Sequence, residues 1–216
     1  MNLRQEVIET ARAMNAAGLN TGRSGNVSVR FESGFLITPS GRDYETLAPE
    51  QIVEMGFDGS WAGQGVHPSS EWRFHRDILT SRADIGAIVH THPVHATALA
   101  VHNRGIPPFH YMVAMAGGHD IRCCGYATFG SQELSDLVIE ALEGRMACLM
   151  AHHGMVACGA DLSSALRLGV EVELLAAQYL HALQIGEPPH LPADEMDRVL
   201  EKFRAGYGYG SGPERA

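Results

Sequence analysis

Apolar residues recur at helical spacing at the start of the chain. Leu3, Val7, Ile8, Ala11 and Met14 fall on one face of residues 2–17, and Gly18 supplies the stop. The period then switches to two. NVSVRFESGFLITP alternates and is rich in β-branched residues, which predicts a hairpin turning at Ser33-Gly34 and ended by Pro39, Ser40 and Gly41. A shorter strand pair is predicted around Asp58-Gly59. Helical spacing returns in EWRFHRDILTSR, with Ser69 or Ser70 as the cap and Glu71 in the first turn.

IGAIVHTH is a continuous apolar run of strand length broken only by histidines, and Pro93 allows a helix to begin at VHATALAVHNRG. SQELSDLVIEALEG reads as a serine-capped helix stopped by Gly144, and ACLMAHHGMVACG as two strands interrupted by His-His-Gly. A long helix is expected from Asp161 to about Gln184 and a last one from Ala193 to Arg204. These elements predict a single α/β domain over residues 1–205, with residues 206–216 (GYGYGSGPERA) as a flexible tail. Several strands are joined by hairpin-length links, so the sheet should be mixed, mostly antiparallel and covered by helices.

Composition narrows the function classes. The 216 residues carry a net charge of -9 and are 45% hydrophobic and 19% charged, which argues for a soluble protein and against a surface that binds nucleic acid through general basicity. An anionic substrate would need a local set of donors. The first residues lack the continuous apolar core of a signal peptide, and no apolar run is long enough to span a bilayer, so a cytoplasmic protein is expected. Cys123, Cys124, Cys148 and Cys158 show no CxxC pairing and read as reduced, mostly buried thiols.

The histidines carry the chemistry. Residues two apart on a strand face the same side, so His90 and His92 can direct both imidazoles to one point from positions about 7 Å apart along the backbone, a spacing that zinc accepts. His95 lies past Pro93 in a new helix and reads as a packing or supporting residue. A catalytic zinc site recruits three protein ligands. His152 and His153, read as neighbours on a strand, point to opposite faces, and the periodicity leaves open which of them joins the pair. Glu71 stands between bulky neighbours, Trp72 and Phe74, whose shielding should raise its pKa and suit it to proton exchange. The loops at 24–26 (SGN), 39–41 (PSG) and 68–70 (PSS) offer small hydroxyl, amide and backbone N–H donors for a phosphate, provided they converge.

The segments GNVSVR, LITPSG, PSSEWRFH, VHTHPVH, IPPFHYM, YATFG, HHGMVACG and EVELLAAQYL, in register from about residue 3 to 204, resemble the zinc-dependent class II aldolase family. The resemblance implies a three-layer α/β/α fold and a homotetramer with active sites between subunits. It implies one zinc per subunit held by His90, His92 and His153, with another divalent ion possible, and leaves His95 and His152 out of the ligand set. By the same likeness Glu71 is the acid/base carboxylate, Asn26, Ser40, Gly41, Ser69 and Ser70 bind phosphate, and Tyr111 is an active-site tyrosine. A second tyrosine is expected from a neighbour's tail, where Tyr207 is favoured over Tyr209. Arg23 departs from the family's small hydroxyl residue beside the phosphate loop. The implied reaction is reversible cleavage of a ketose 1-phosphate, such as L-fuculose 1-phosphate or a 5-deoxy- or 5-methylthioribulose 1-phosphate, to dihydroxyacetone phosphate and a short aldehyde. A 4-epimerase of ribulose 5-phosphate and a non-catalytic module like the adducin head are the alternatives within the same likeness.

Overall fold

The computed structural model describes residues 2–61 and 65–206. The first helix, α1 (Leu3–Ala16), buries Val7, Ile8, Ala11 and Met14, and the side chain of Asn2 caps it by accepting from the Arg4 amide. The strands β1 (Asn26–Phe31), β2 (Gly34–Ile37) and β3 (Val53–Gly56) follow as an antiparallel meander. After α2 (Trp72–Ser81) come β4 (Ala87–Thr91) and α3 (Val94–Ala100). Next are β5 (Arg122–Cys124), α4 (Gln132–Ala141), β6 (Ala147–Met150), β7 (Gly154–Gly159), α5 (Leu162–Leu183) and α6 (Ala193–Arg204).

All seven strands join one sheet in the order β3-β2-β1-β4-β7-β6-β5, antiparallel everywhere except the β5–β6 pair. Helices cover both faces. Val27, Val29, Leu36, Ala87, Val89 and Ala157 pack on one side with residues of α1, α3, α5 and α6. Phe35, Ile37, Ile88, Cys148, Val156 and Cys158 pack on the other with residues of α2 and α4. This is the mixed α/β/α sandwich expected from the sequence. Because β4 lies mid-sheet between two helical layers, all five of its residues are buried, which explains an apolar run without alternation.

Local details differ from the sequence reading. The β1–β2 turn falls on Glu32 and Ser33, with Glu32 at φ 46°, one residue before the expected Ser33-Gly34, because Gly34 already pairs with Phe31. The pair around Asp58-Gly59 reduces to β3 and one isolated bridge, Met55 to Trp61. The three-residue β5 was not anticipated, being too short to show a period. Glu71 is not in the first turn of α2 but at its N-cap, and its side chain makes no capping bond. His152 and His153 are not on a strand: they occupy the β6–β7 turn, with His152 at φ 54°.

Candidate functional site

The site is assembled where β1, β4 and the β6–β7 turn end together. In the β1–β4 register Asn26 lies opposite His90, so the loop before β1 is carried to the end of β4. Gly25 makes this approach possible. It sits at φ 75°, and a Cβ there would meet the His90 carbonyl oxygen at 2.5 Å and the Asn20 side chain at 2.0 Å. Asn20 ties the two segments: its Oδ1 accepts from the His92 amide at 2.7 Å while its Nδ2 donates to the Ser24 carbonyl at 2.8 Å. Gly154 opens the opposite side, since a Cβ there would meet the Thr91 carbonyl at 2.3 Å and the His92 ring at 2.6 Å.

Glu71, His90, His92 and His153 bring one ligand atom each within 4.8 Å of one another. His90 Nε2 is 3.1 Å from Glu71 Oε2, His153 Nε2 is 3.3 Å from Glu71 Oε1, and the Nε2 atoms of His90 and His92 are 2.9 Å apart. Glu71 Oε1 is nevertheless a buried oxygen with no aligned hydrogen-bond donor among the described residues. His90 Nδ1 lies 2.9 Å from the Met155 carbonyl, which only accepts, so Nδ1 donates there and Nε2 is the atom turned toward the cluster. Three imidazole nitrogens gathered around a buried carboxylate with an orphaned oxygen are a donor set that fits a divalent cation. His95 points elsewhere, with its Nδ1 2.7 Å from Glu173 Oε1. That carboxylate also accepts the His95 and Ala96 amides at 2.9 Å each, which holds the start of α3.

Electrostatics correct one expectation. Burial does push the Glu71 carboxyl upward, but the facing His90 and His153 and the Asn26 amide outweigh it and hold the group well below the usual carboxylate range. Burial and the neighbouring rings push His92 down to about 3 and His153 down to about 4, so both are neutral at pH 7. Glu71 is buried, as the bulky neighbours suggested. Phe74 stacks on His75 and meets the His90 ring edge-on, while arginines lie over Trp72. The thiols lie outside this site, and burial pushes Cys158 up to about 12.

A cavity of about 340 Å³ opens above the cluster. Glu71, His92 and His153 lie on its lining, and the three small-residue loops converge there: Ser24 to Asn26, Pro39 to Gly41, and Ser69 with Ser70. Arg23 joins them, donating from Nη1 to the Gly41 carbonyl at 3.3 Å. The sequence reading assigned nothing to Tyr126 and Phe129, whose exposed rings border the cavity; His152, which the resemblance leaves out of the ligand set, lines it too and meets the Tyr126 ring edge-on. Two exposed aromatics within YATFG were the available signal. Tyr111 is not brought to this cavity. It lines a separate one with Leu191, Glu195, Val199, Lys202 and Phe203. Tyr207 and Tyr209 lie outside the described residues. A larger cavity of about 850 Å³, at the β2–β3 edge of the sheet, holds none of the clustered ligand groups.

Residues 5–180 match the family described as Class II Aldolase and Adducin N-terminal domain. A 5-methylthioribulose-1-phosphate/5-deoxyribulose-1-phosphate aldolase of Rhodospirillum rubrum is 57% identical over 206 residues, covering 95% of this chain and 92% of that protein. An L-fuculose phosphate aldolase of Escherichia coli K12 is 49% identical, with 95% of each chain covered. Among solved structures, an L-fuculose 1-phosphate aldolase superposes with a TM-score of 0.90 at 39% identity, covering 93% of this chain and 95% of that one.

Proposed function

The chain belongs to the class II aldolase family, and from that premise we propose that it is a metal-dependent aldolase that reversibly cleaves a ketose 1-phosphate into dihydroxyacetone phosphate and a short aldehyde. The observation that carries the reading is the meeting of two kinds of donor in one cavity. Two imidazoles and a carboxylate line its base with the buried His90 beside them, and three loops of hydroxyl and amide donors form its wall.

His90, His92 and His153 would hold the cation, with zinc favoured by an all-imidazole set. When bound, it supplies Lewis acidity for the ketose carbonyl and for the charge released as the C3–C4 bond breaks. Glu71, ionised and beside that position, exchanges the proton at the carbon that loses its partner. Asn26, Ser40, Gly41, Ser69 and Ser70 receive the phosphate, and Arg23 adds a positive charge at the same wall. Tyr111 and Tyr207 serve the aldehyde end from a neighbouring subunit of a homotetramer, Tyr207 taking the proton of the C4 hydroxyl as that oxygen becomes the aldehyde carbonyl and Tyr111 positioning the aldehyde. This arrangement accounts for Tyr111 lying away from the histidines of its own chain.

Among ketose 1-phosphates, 5-methylthioribulose and 5-deoxyribulose 1-phosphates are the first candidates. The relative with 57% identity carries that name, and the Tyr126 and Phe129 rings give the cavity an apolar rim suited to a distal methyl or methylthio group. L-Fuculose 1-phosphate, which carries one more hydroxyl-bearing carbon before its terminal methyl, is the second. A panel of these three compounds and L-ribulose 5-phosphate, assayed for dihydroxyacetone phosphate release with a coupled reductase, tests the proposal. Release from a ketose 1-phosphate, abolished by a chelator, is the expected result. Interconversion of pentulose 5-phosphates without release would replace it with the epimerase reading.

A further inference from the structure

A buried chain of hydrogen bonds runs behind the cavity wall. Ser28 Oγ lies 2.7 Å from His75 Nδ1, and His75 Nε2 bonds Asn26 Oδ1. Asn26 Nδ2 then reaches Ser69 Oγ at 2.9 Å and Glu71 Oε2 at 3.1 Å. Strand geometry explains the alignment: Asn26 and Ser28 are two apart on β1, so both face α2, which carries His75. Ser28 and His75 have no exposed surface, and neither lines the cavity.

Donor and acceptor capacity fixes the direction of each link. A carboxylate oxygen only accepts, so the Asn26 amide turns its nitrogen toward Glu71 and its oxygen toward His75. Two acceptors cannot bond each other, so His75 carries its proton on Nε2. Its Nδ1 is then an acceptor and takes the Ser28 hydroxyl hydrogen. At the far end Ser69 Oγ accepts from Asn26 Nδ2 and, at 3.3 Å, from the Glu71 amide. Both lone pairs are used. Among the described residues no acceptor takes the Ser69 hydroxyl hydrogen, which leaves it as a donor at the cavity wall.

We propose that His75, held as the Nε2–H tautomer by Ser28, is a positioning residue that locks the Asn26 amide and so presents the Ser69 hydroxyl as a donor to a phosphoryl oxygen. The proposal rests on reading the cavity as a sugar-phosphate site and extends that site to a side chain no ligand touches. With the amide reversed, the Asn26 oxygen would face the Glu71 carboxylate, and the Ser69 hydrogen would turn inward to that oxygen instead of toward a ligand. Burial keeps the ring neutral, pushing His75 down to about 3.

The test combines one spectroscopic and one binding measurement. In protein labelled with 15N-histidine, two-bond N–H correlation spectra distinguish the two neutral tautomers, and His75 is expected as Nε2–H. An Nδ1–H signal for His75 overturns the proposal without any variant. His75→Met, which keeps the volume and removes the donor, should weaken inorganic phosphate binding, measured by calorimetry, and raise KM for the ketose 1-phosphate, each about tenfold. His75→Gln, whose amide N–H replaces Nε2–H, should recover most of that loss. Equal phosphate affinity in wild type and a folded His75→Met overturns the proposal. If His75→Met does not fold, the wild-type tautomer decides. Failure of the wild type to cleave any ketose 1-phosphate would refute the aldolase reading alone, because the tautomer and phosphate binding are read without turnover.

Discussion

At the scale of single residues, Glu71 and His90 occupy different layers of the same site and should fail differently. Glu71→Gln keeps the shape and removes the carboxylate to which the proposal assigns proton exchange, so cleavage should fall by about 10²–10⁴-fold with the bound metal retained. His90→Ala removes a nitrogen whose partner, the Met155 carbonyl, fixes its direction, and should lose both activity and metal. Release assays paired with metal analysis of each variant check both. The histidines also set a pH dependence. Between its ordinary value near 6.5 and about 3, His75 is neutral when folded and protonated when unfolded. The unfolded state therefore binds more protons in that window. Stability from this group is complete above it and is lost as pH falls, by about 1.4 kcal/mol per pH unit. His92 and His153 act in the same direction. Metal-free protein should accordingly show a lower Tm at pH 5.5 than at pH 7.5, and calorimetry at the two values measures it.

At the scale of elements, close approach rather than propensity shapes the site. Gly25 and Gly144 both lie at positive φ, but a Cβ at Gly25 would strike the His90 carbonyl whereas one at Gly144 meets nothing within 4 Å. Gly144→Ala should cost only the backbone strain, about 1 kcal/mol. Gly25→Ala should lower Tm further and weaken metal binding by displacing the end of β4; thermal unfolding of the two variants side by side decides this. Helix positions were legible from period: the Ala193–Arg204 helix has the expected bounds, Ser131 is the expected cap of α4, and Asp161, the expected start of the long helix, is the cap of α5. The turns were less legible. His152 and His153 were read as strand residues because their apolar flanks suggest continuity, whereas the strands stop at Met150 and resume at Gly154.

For the whole molecule, the proposed ion at the Glu71, His90, His92 and His153 cluster would link function to stability. An ion that binds the folded chain and not the unfolded one stabilises it by about 2.7 kcal/mol at a hundredfold excess over Kd. Chelation should therefore lower Tm and abolish cleavage together, and re-addition of zinc should restore both; loss of activity with an unchanged Tm would argue against a folded-state ion site. Among the described residues no helix is long and apolar enough to cross a membrane.

The sequence by itself determined the helices and the longer strands, the layered α/β class and the His90–His92 pair, because periodicity is local and states which side of a strand or helix a residue takes. Its motif likeness to the aldolase family also named the third histidine, which no period could supply. Only the tertiary structure decided how distant segments meet. The β1–β4 register set Asn26 opposite His90, the β6–β7 turn brought His153 to Glu71, and α2 packed His75 behind them. It also reversed the expected direction for the Glu71 carboxyl: sequence neighbours are apolar, but the groups that face it in space are imidazoles and an amide. Charge and hydrogen bonding act through distance across the fold, and neighbours along the chain do not record that distance.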